Sequence, residues 1–376
     1  MKHDLLRVEI DGSEMPELYA DLLSLEVELD EDLAGMFRIS LALLLATDGS
    51  WPYLDDARFA LWRQVVVTAG LEDEPTRLIS GYVTHIRPNF GDRLDQCRLD
   101  IWGMDASVLM DRADRLKAWP NKKDSDIAAE VFESYGLTAE TSDTEVVHDE
   151  RVSTIIQRET DIQLLRRLAL RNGFECFVDA DKGYFRPPAT DSGPQPVLAV
   201  HFGEETNVDH FRLEANALTP ADVTMTQIDH ISGDVLDARA ESDHQPALGA
   251  DRASALKAPR GESGVLRVAR TVTTGAPEMS ALCQGLYDCG EWFVTAEGEV
   301  AANQYGTVLM PRRTVLIKGL GETFSGTYYV THVTHRFTAD GYTQGFRAKR
   351  NAVRPKGDEN FSGGGDGLLA GLAGGM

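Results

Sequence analysis

The chain has 376 residues, room for two or three domains, and 42% of them are apolar, so a disordered chain is excluded as the default reading. The formal net charge of −23 argues against nucleic acid as a direct partner and is read most simply as a solvated acidic surface. No apolar run approaches the roughly 20 residues that span a bilayer, and the opening MKHDLLRVEIDG lacks a signal peptide's apolar core, so cytoplasmic synthesis and assembly are expected, with no membrane segment.

The first hundred residues are mostly strand-like. Gln64 to Gly70 and Thr76 to Phe90 have β-type composition, and Gln96 to Trp102 sets Cys97, Leu99 and Ile101 on one face. Turn-forming separators at LEDEP and NFGDRLD imply a small antiparallel barrel or curved sheet. From about Asp105 the texture changes. Asp124-Ser125 predicts a helix start, with Ile127, Val131 and Tyr135 at helical spacing and Gly136 as the stop. A second helix is predicted from a Thr160 cap to Gly173, with Ile162, Leu165, Leu168 and Ala169 inward and Arg166, Arg167 and Arg171 in solvent. A strand at Phe174 to Val178 and a hairpin through Asp181-Lys182-Gly183 complete an inserted α/β region.

Strands resume at Val197. A helix is predicted over Pro277 to Trp292, and a strand over Glu299 to Val308. Residues 315 to 350 then read as three strands. Gly319, Gly321 and Gly326 punctuate the first turn, and Gly341 the second. The fold class expected is α+β, mainly β: two tube-like antiparallel β-barrel domains with an inserted α/β region. The boundaries are 1–110 (first barrel), 111–195 (insert), 196–353 (strands returning to the first unit, plus the second barrel) and 354–376 (a Gly-rich tail).

Charge is uneven along the chain. From Arg312 to Lys356 nine Lys/Arg face only Glu322 and Asp340, so that segment carries +7 and the remainder −30. Arg312, Arg313, Arg347, Lys349 and Arg350 are therefore candidate interface residues, meeting acidic neighbours through complementary fields. Cys97, Cys176, Cys283 and Cys289 lack metal-ligand spacing and are read as small buried apolar residues.

The sequence offers little catalytic chemistry. Gly319-Leu320-Gly321 lacks the third glycine and Lys-Ser/Thr of a phosphate loop, and strands flank it. The pairs His148-Asp149, Asp209-His210 and Asp229-His230 each offer one ligand per strand face, and His332 and His335 also fall on opposite faces; one of the latter is expected to pack inside the barrel. No G-x-S-x-G elbow occurs. No catalytic residue, cofactor or metal is assigned. The enzymatic alternative is a peptidoglycan or glycan hydrolase using a carboxylate pair, which 60 acidic residues always permit on paper.

Three blocks resemble the phage late-control D proteins, which form the baseplate hub of contractile tails. The first is Leu78-Ile79-Ser80-Gly81-Tyr82-Val83 leading to a strand that ends in Asp105. The second is Gln157 through Thr160-Asp161 to Leu168-Ala169 and Gly173-Phe174. The third is G-x-G-x-x-F-S-G-x-Y from Gly319 to Tyr328, then His335-Arg336-Phe337 and a closing G-Y-x-x-x-F-x-x-x-R from Gly341 to Arg350. The chain is also similar to the N-terminal hub half of type VI secretion VgrG spike proteins. The resemblance implies a homotrimeric ring adapting a six-fold tail tube to a three-fold spike. Its implied partners are tube or tube-initiator proteins, a separate trimeric spike and other baseplate proteins. Leu368, Leu369 and Leu372 in the Gly-rich tail are candidate tethers to that spike.

Overall fold

The computed structural model describes residues 4–71, 75–151, 154–218, 222–229, 232–240, 244–255, 264–269, 271, 273 and 275–361. The fold is α+β and mainly β, as the sequence predicts. Strands β1 (Asp4–Ile10), β2 (Leu22–Asp30), β3 (Met36–Ala42), β4 (Gln64–Leu71), β5 (Thr76–Asn89) and β6 (Arg98–Asp105) run antiparallel in the order β2–β3–β6–β5–β4–β1. In β2, Leu25, Val27 and Leu29 point inward while Glu26, Glu28 and Asp30 point out, the period of two that a half-buried strand requires. The inward rows of these strands, with Val8, Phe37, Val67 and Leu99 among them, form the first apolar core.

The inserted region has its own core beneath helices α1 (Asp124–Ser134) and α2 (Asp161–Asn172). Strands β7 (Thr138–Thr141), β8 (Glu175–Asp179) and β9 (Lys182–Arg186) lie in the order β7–β9–β8. Both predicted helices are present, but their starts differ from expectation. The cap position of α1 is Lys123, and the Asp124 carboxylate is drawn into a buried ionic cluster instead. Thr160 occupies the cap position of α2, yet its hydroxyl donates to Asp111 Oδ1 at 2.6 Å. Gly173, in the left-handed conformation at φ 65°, ends α2.

Strands β10 (Gln195–Ala199) and β11 (His210–Ala215) return to the large sheet. Between β11 and the next strand of that sheet lies a further small unit. Its strands β12 (Asp222–Ile228), β13 (Val235–Ala240) and β14 (Val265–Val268) are ordered β13–β12–β14 and covered by α3 (Ala276–Gly290). Val223, Met225, Met279, Leu282, Cys283 and Tyr287 make its core. The sequence showed the helix but not the sheet beneath it. Cys289 corrects another expectation: six residues along α3 turn it about 240° from buried Cys283, and it is exposed.

The second barrel-like unit uses β15 (Val294–Ala301), β16 (Arg313–Lys318), β17 (Gly326–Thr338) and β18 (Gly341–Arg350) with β10 and β11. The strand expected over Glu299 to Val308 instead begins at Val294 and stops at Ala301, where a one-turn helix follows. Gly298 sits mid-strand, where the Phe346 ring comes within 2.7 Å of the position a Cβ would take.

The two barrel-like units are one continuous sheet, ordered β11–β15–β18–β17–β2–β3–β6–β5–β4–β1. Strand β17 is the joint. Its first half, Gly326–Val330, pairs with β16, and its second half, His332–Phe337, pairs with Leu25–Asp30 of β2. The switch falls at a register irregularity between Val330 and His332 in the ladder to β18. Phe337 and Tyr342 accordingly belong to the first core, although they lie over 200 positions from most of its members.

Candidate assembly interface

Five of the nine cations of residues 312 to 356 pair with carboxylates within the chain: Lys318 with Glu205, Arg354 with Asp251, and three with the acidic outer row and end of β2. Arg347 lies 3.4 Å from Asp30 Oδ2, Lys349 2.6 Å from Glu31 and Arg336 3.2 Å from Glu26. His332 Nδ1 meets Asp30 Oδ2 at 3.0 Å, and the Asp32 and Leu33 amides donate to Asp30 Oδ1. Burial acts to raise the Asp30 carboxyl, but these hydrogen bonds prevail and hold it at about 2. The complementary fields expected between subunits thus first join the two barrel-like units of one chain.

Only part of the predicted basic set remains on the surface. Arg313 and Arg347 are exposed. Arg312 is half-buried: its guanidinium donates to the Asp30 carbonyl and lies 3.8 Å from the Phe177 ring centre, tying the insert to the seam. Lys349 sits 4.7 Å from the Trp292 ring centre. Arg350 is wholly buried, which corrects its assignment as an interface residue. Among the described residues it bonds no carboxylate. Its Nε donates to Leu248 O, its NH1 to Phe324 O and Ser325 O, and its NH2 to Arg354 O, at 2.9 to 3.3 Å. Gly326 makes room, since a Cβ there would lie 2.4 Å from the guanidinium.

The residues that carried the family resemblance meet in space. In the third block, Arg350 grips the carbonyls of Phe324 and Ser325, and the Tyr328 hydroxyl donates to Phe324 O at 2.7 Å. In the second, Gln157 donates to Asp161 Oδ1 at 2.7 Å and accepts from Trp119 Nε1 at 3.1 Å, all buried. In the first, Asp105 accepts from Gly35 N at 2.6 Å and Ser107 N at 2.9 Å. These are fold-locking contacts. All four predicted turn glycines, Gly319, Gly321, Gly326 and Gly341, have positive φ, and a one-turn helix, Gly321–Phe324, occupies the first turn.

His335 packs inside the first unit against the Tyr342 hydroxyl at 2.8 Å, and burial holds its imidazole down at about 3. His332 takes the outer face. His148 is buried beside Asp124, whose carboxylate also pairs with Arg171; Arg171 bonds Glu278 of α3 at 2.8 Å. Arg171, expected in solvent, therefore bolts the second small unit to the insert, and its guanidinium fills the space between three potential ligands. Among the described residues no group of three or more His, Cys, Asp or Glu is placed to hold a metal ion, and no helix is long and apolar enough to cross a membrane. His230 and the candidate tether residues Leu368, Leu369 and Leu372 lie outside the described residues.

Two features suit this surface to assembly. The outer face carries cross-strand rows of charged and polar side chains, such as Arg212–Glu297–Arg347–His332–Asp30 across β11, β15, β18, β17 and β2. At the ends of the long sheet, β11 pairs only with β15, and β1 pairs with β4 along its length but with a second strand only at Glu9 and Ile10, among the described residues. Open edges of this kind are protected in stable proteins.

Solved structures share this fold. The 43 kDa tail protein of prophage MuSo2 from Shewanella oneidensis is 15% identical, with 93% of this chain and 99% of that one aligned at a TM-score of 0.64. A tail protein from Neisseria meningitidis MC58 is 12% identical, covering 93% and 97%, also at 0.64. The E. coli c3393 protein, a type VI secretion component with structural similarity to T4 bacteriophage tail proteins, is 12% identical over 93% and 79% at 0.52. No curated protein matches the chain in sequence. The family model described as the Alg8 N-terminal domain matches residues 2–339, nearly the whole length, and the chain belongs to that family.

Proposed function

We propose that this protein is a non-enzymatic baseplate hub of a contractile phage tail or phage-tail-like injection system, of the late-control D and VgrG kind. The observation that carries this reading is a single sheet running through two barrel-like units and ending in open edges at β11 and β1. Three copies set head to tail would cover those edges, forming a closed ring with six barrel-like units. Such a ring meets a six-fold tube on one side and a three-fold spike on the other. The likeness to tail proteins in fold supports the reading, as do motif residues that serve packing rather than chemistry. In this proposal Arg313 and Arg347 contribute to the subunit contact, the Gly-rich tail with Leu368, Leu369 and Leu372 engages a separate spike, and the domain limits are 110, 195 and 353. Assembly takes place in the cytoplasm, with tube and other baseplate proteins as partners.

Sedimentation and electron microscopy test it. A trimer of three 41.3 kDa chains, seen as rings, is expected. A monomer at every concentration that also cleaves cell-wall glycan would replace the hub with a hydrolase.

A further inference from the structure

A cavity of about 430 Å³ opens where the end of β2, helix α2, the start of β8 and the second barrel-like unit meet. Its lining includes Leu33, Leu170, Phe174, Pro188, Cys289 and Trp292. Leu33 and Leu170 are 60% and 57% exposed. A single exposed leucine is ordinary on a protein surface, but two lining one recess of binding-pocket size make an apolar site. Among the polar lining residues, Lys349 and Glu31 already satisfy each other at 2.6 Å. What the cavity lacks is apolar contact.

The occupant follows from where the chain leads. The described residues end at Phe361, whose carbonyl accepts from Lys318 Nζ at 3.2 Å. Lys318 closes β16, and Thr314, on the same face of that strand, is paired with Tyr329 of β17. The Tyr329 hydroxyl donates to Glu175 at 2.5 Å, and its ring centre lies 6.0 Å from that of Trp292; both partners line the cavity. Four residues of strand, about 13 Å, separate Lys318 from Thr314. The next seven residues of the chain, Ser362 to Leu368, span up to about 23 Å when extended, so Leu368 reaches the cavity with slack. The spacer SGGGDG is flexible by composition, and LLAGL follows it.

We propose that the cavity is the docking site of this chain's own C-terminal tail, with leucines from the set Leu368, Leu369 and Leu372 seated against Leu33, Leu170 and Trp292. Burying one leucine favours the docked state about 10-fold or more, and the cost of closing the loop grows only slowly with its length. The tail leucines are thereby held out of water until a partner takes them. This assignment stands apart from the hub reading: it needs no ring, tube or spike, and it is tested on the isolated chain.

Cys289 lies at the cavity and is exposed, whereas Cys97, Cys176 and Cys283 are buried, so its alkylation reports whether the cavity is covered. Iodoacetamide labelling of the full chain, with the labelled site read by mass spectrometry, is compared with a variant carrying Leu368→Ser, Leu369→Ser and Leu372→Ser. Labelling of Cys289 about 10-fold faster in that variant is expected, and about 3-fold faster in Leu33→Ser. Acetyl-Gly-Leu-Leu-Ala-Gly-Leu-amide, added in excess, should restore slow labelling to the triple variant. Thermal melts verify that both variants keep the parent's fold. Equal rates in the parent and the triple variant, indifference to Leu33→Ser, or no effect of the peptide overturns the proposal. Protection that fades on dilution overturns docking within one chain and assigns the cavity to the tail of a second copy.

Discussion

Replacing Arg350 with methionine removes the donors for four carbonyls at once, on Leu248, Phe324, Ser325 and Arg354. Methionine fills much of the vacated volume, so the loss is chiefly one of unmatched acceptors. At the low end of about 1 kcal/mol for each abandoned carbonyl, Arg350→Met costs about 4 kcal/mol. Arg350→Lys offers three donors on a point charge in place of a planar fork, leaving at least one carbonyl bare at a cost of about 1–3 kcal/mol. The exposed Arg347 is the control: Arg347→Met is expected to stay within about 1 kcal/mol of the parent. Urea denaturation followed by tryptophan fluorescence gives the ranking. Hydrogen exchange gives the location, with protection lost first around residues 248, 325 and 354. A cost below about 1 kcal/mol for Arg350→Met, or equal costs at positions 347 and 350, refutes the assignment of Arg350 as an internal staple.

Two pH experiments probe the seam from opposite sides. The Glu175 carboxyl is raised from 4.5 to about 7, chiefly by burial, so its contribution is fully present below pH 4.5 and lost as pH rises through 7. Glu175→Gln should therefore flatten the stability profile between those values and be more stable than the parent at pH 8 by up to about 3 kcal/mol, read from urea midpoints. A parent profile already flat from pH 4.5 to 8 would contradict it. Asp30 behaves in the reverse sense: depressed from 3.8 to about 2, it stabilises above pH 3.8 and loses that effect as pH falls through 2. Asp30→Asn is expected to cost about 2 kcal/mol at pH 7 and almost nothing at pH 2 in the same assay; an equal cost at both values would sink the reading.

What the sequence disclosed were features set by near neighbours. Helix α2 was legible because Ile162, Leu165, Leu168 and Ala169 recur at helical spacing and Gly173 closes it. The closing strands were legible from their alternation and from the Asp340-Gly341 turn. The illegible features all depend on distant partners. Arg171 read as a surface charge, Arg350 as an interface residue and Asp124 as a helix cap, until residues up to 107 positions away bury and satisfy them. The basic segment was visible as composition, but the acidic row it meets belongs to β2, about 300 residues earlier. The sheet of β12, β13 and β14 escaped notice because its strands are short and β14 follows β13 only after a long interval. Val223, Met225 and Ala240 are the residues it buries against α3.

Strand β17 has a mechanical meaning beyond its place in the topology. Six consecutive residues, His332 to Phe337, are zipped to β2 while the same strand continues into the second unit. A pull along the strand direction loads that ladder in shear, so its hydrogen bonds share the force and must yield together. A pull across it would open them one by one. The joint is therefore built to resist load along β17 better than load across it, which makes the direction of load as important to this protein as its magnitude.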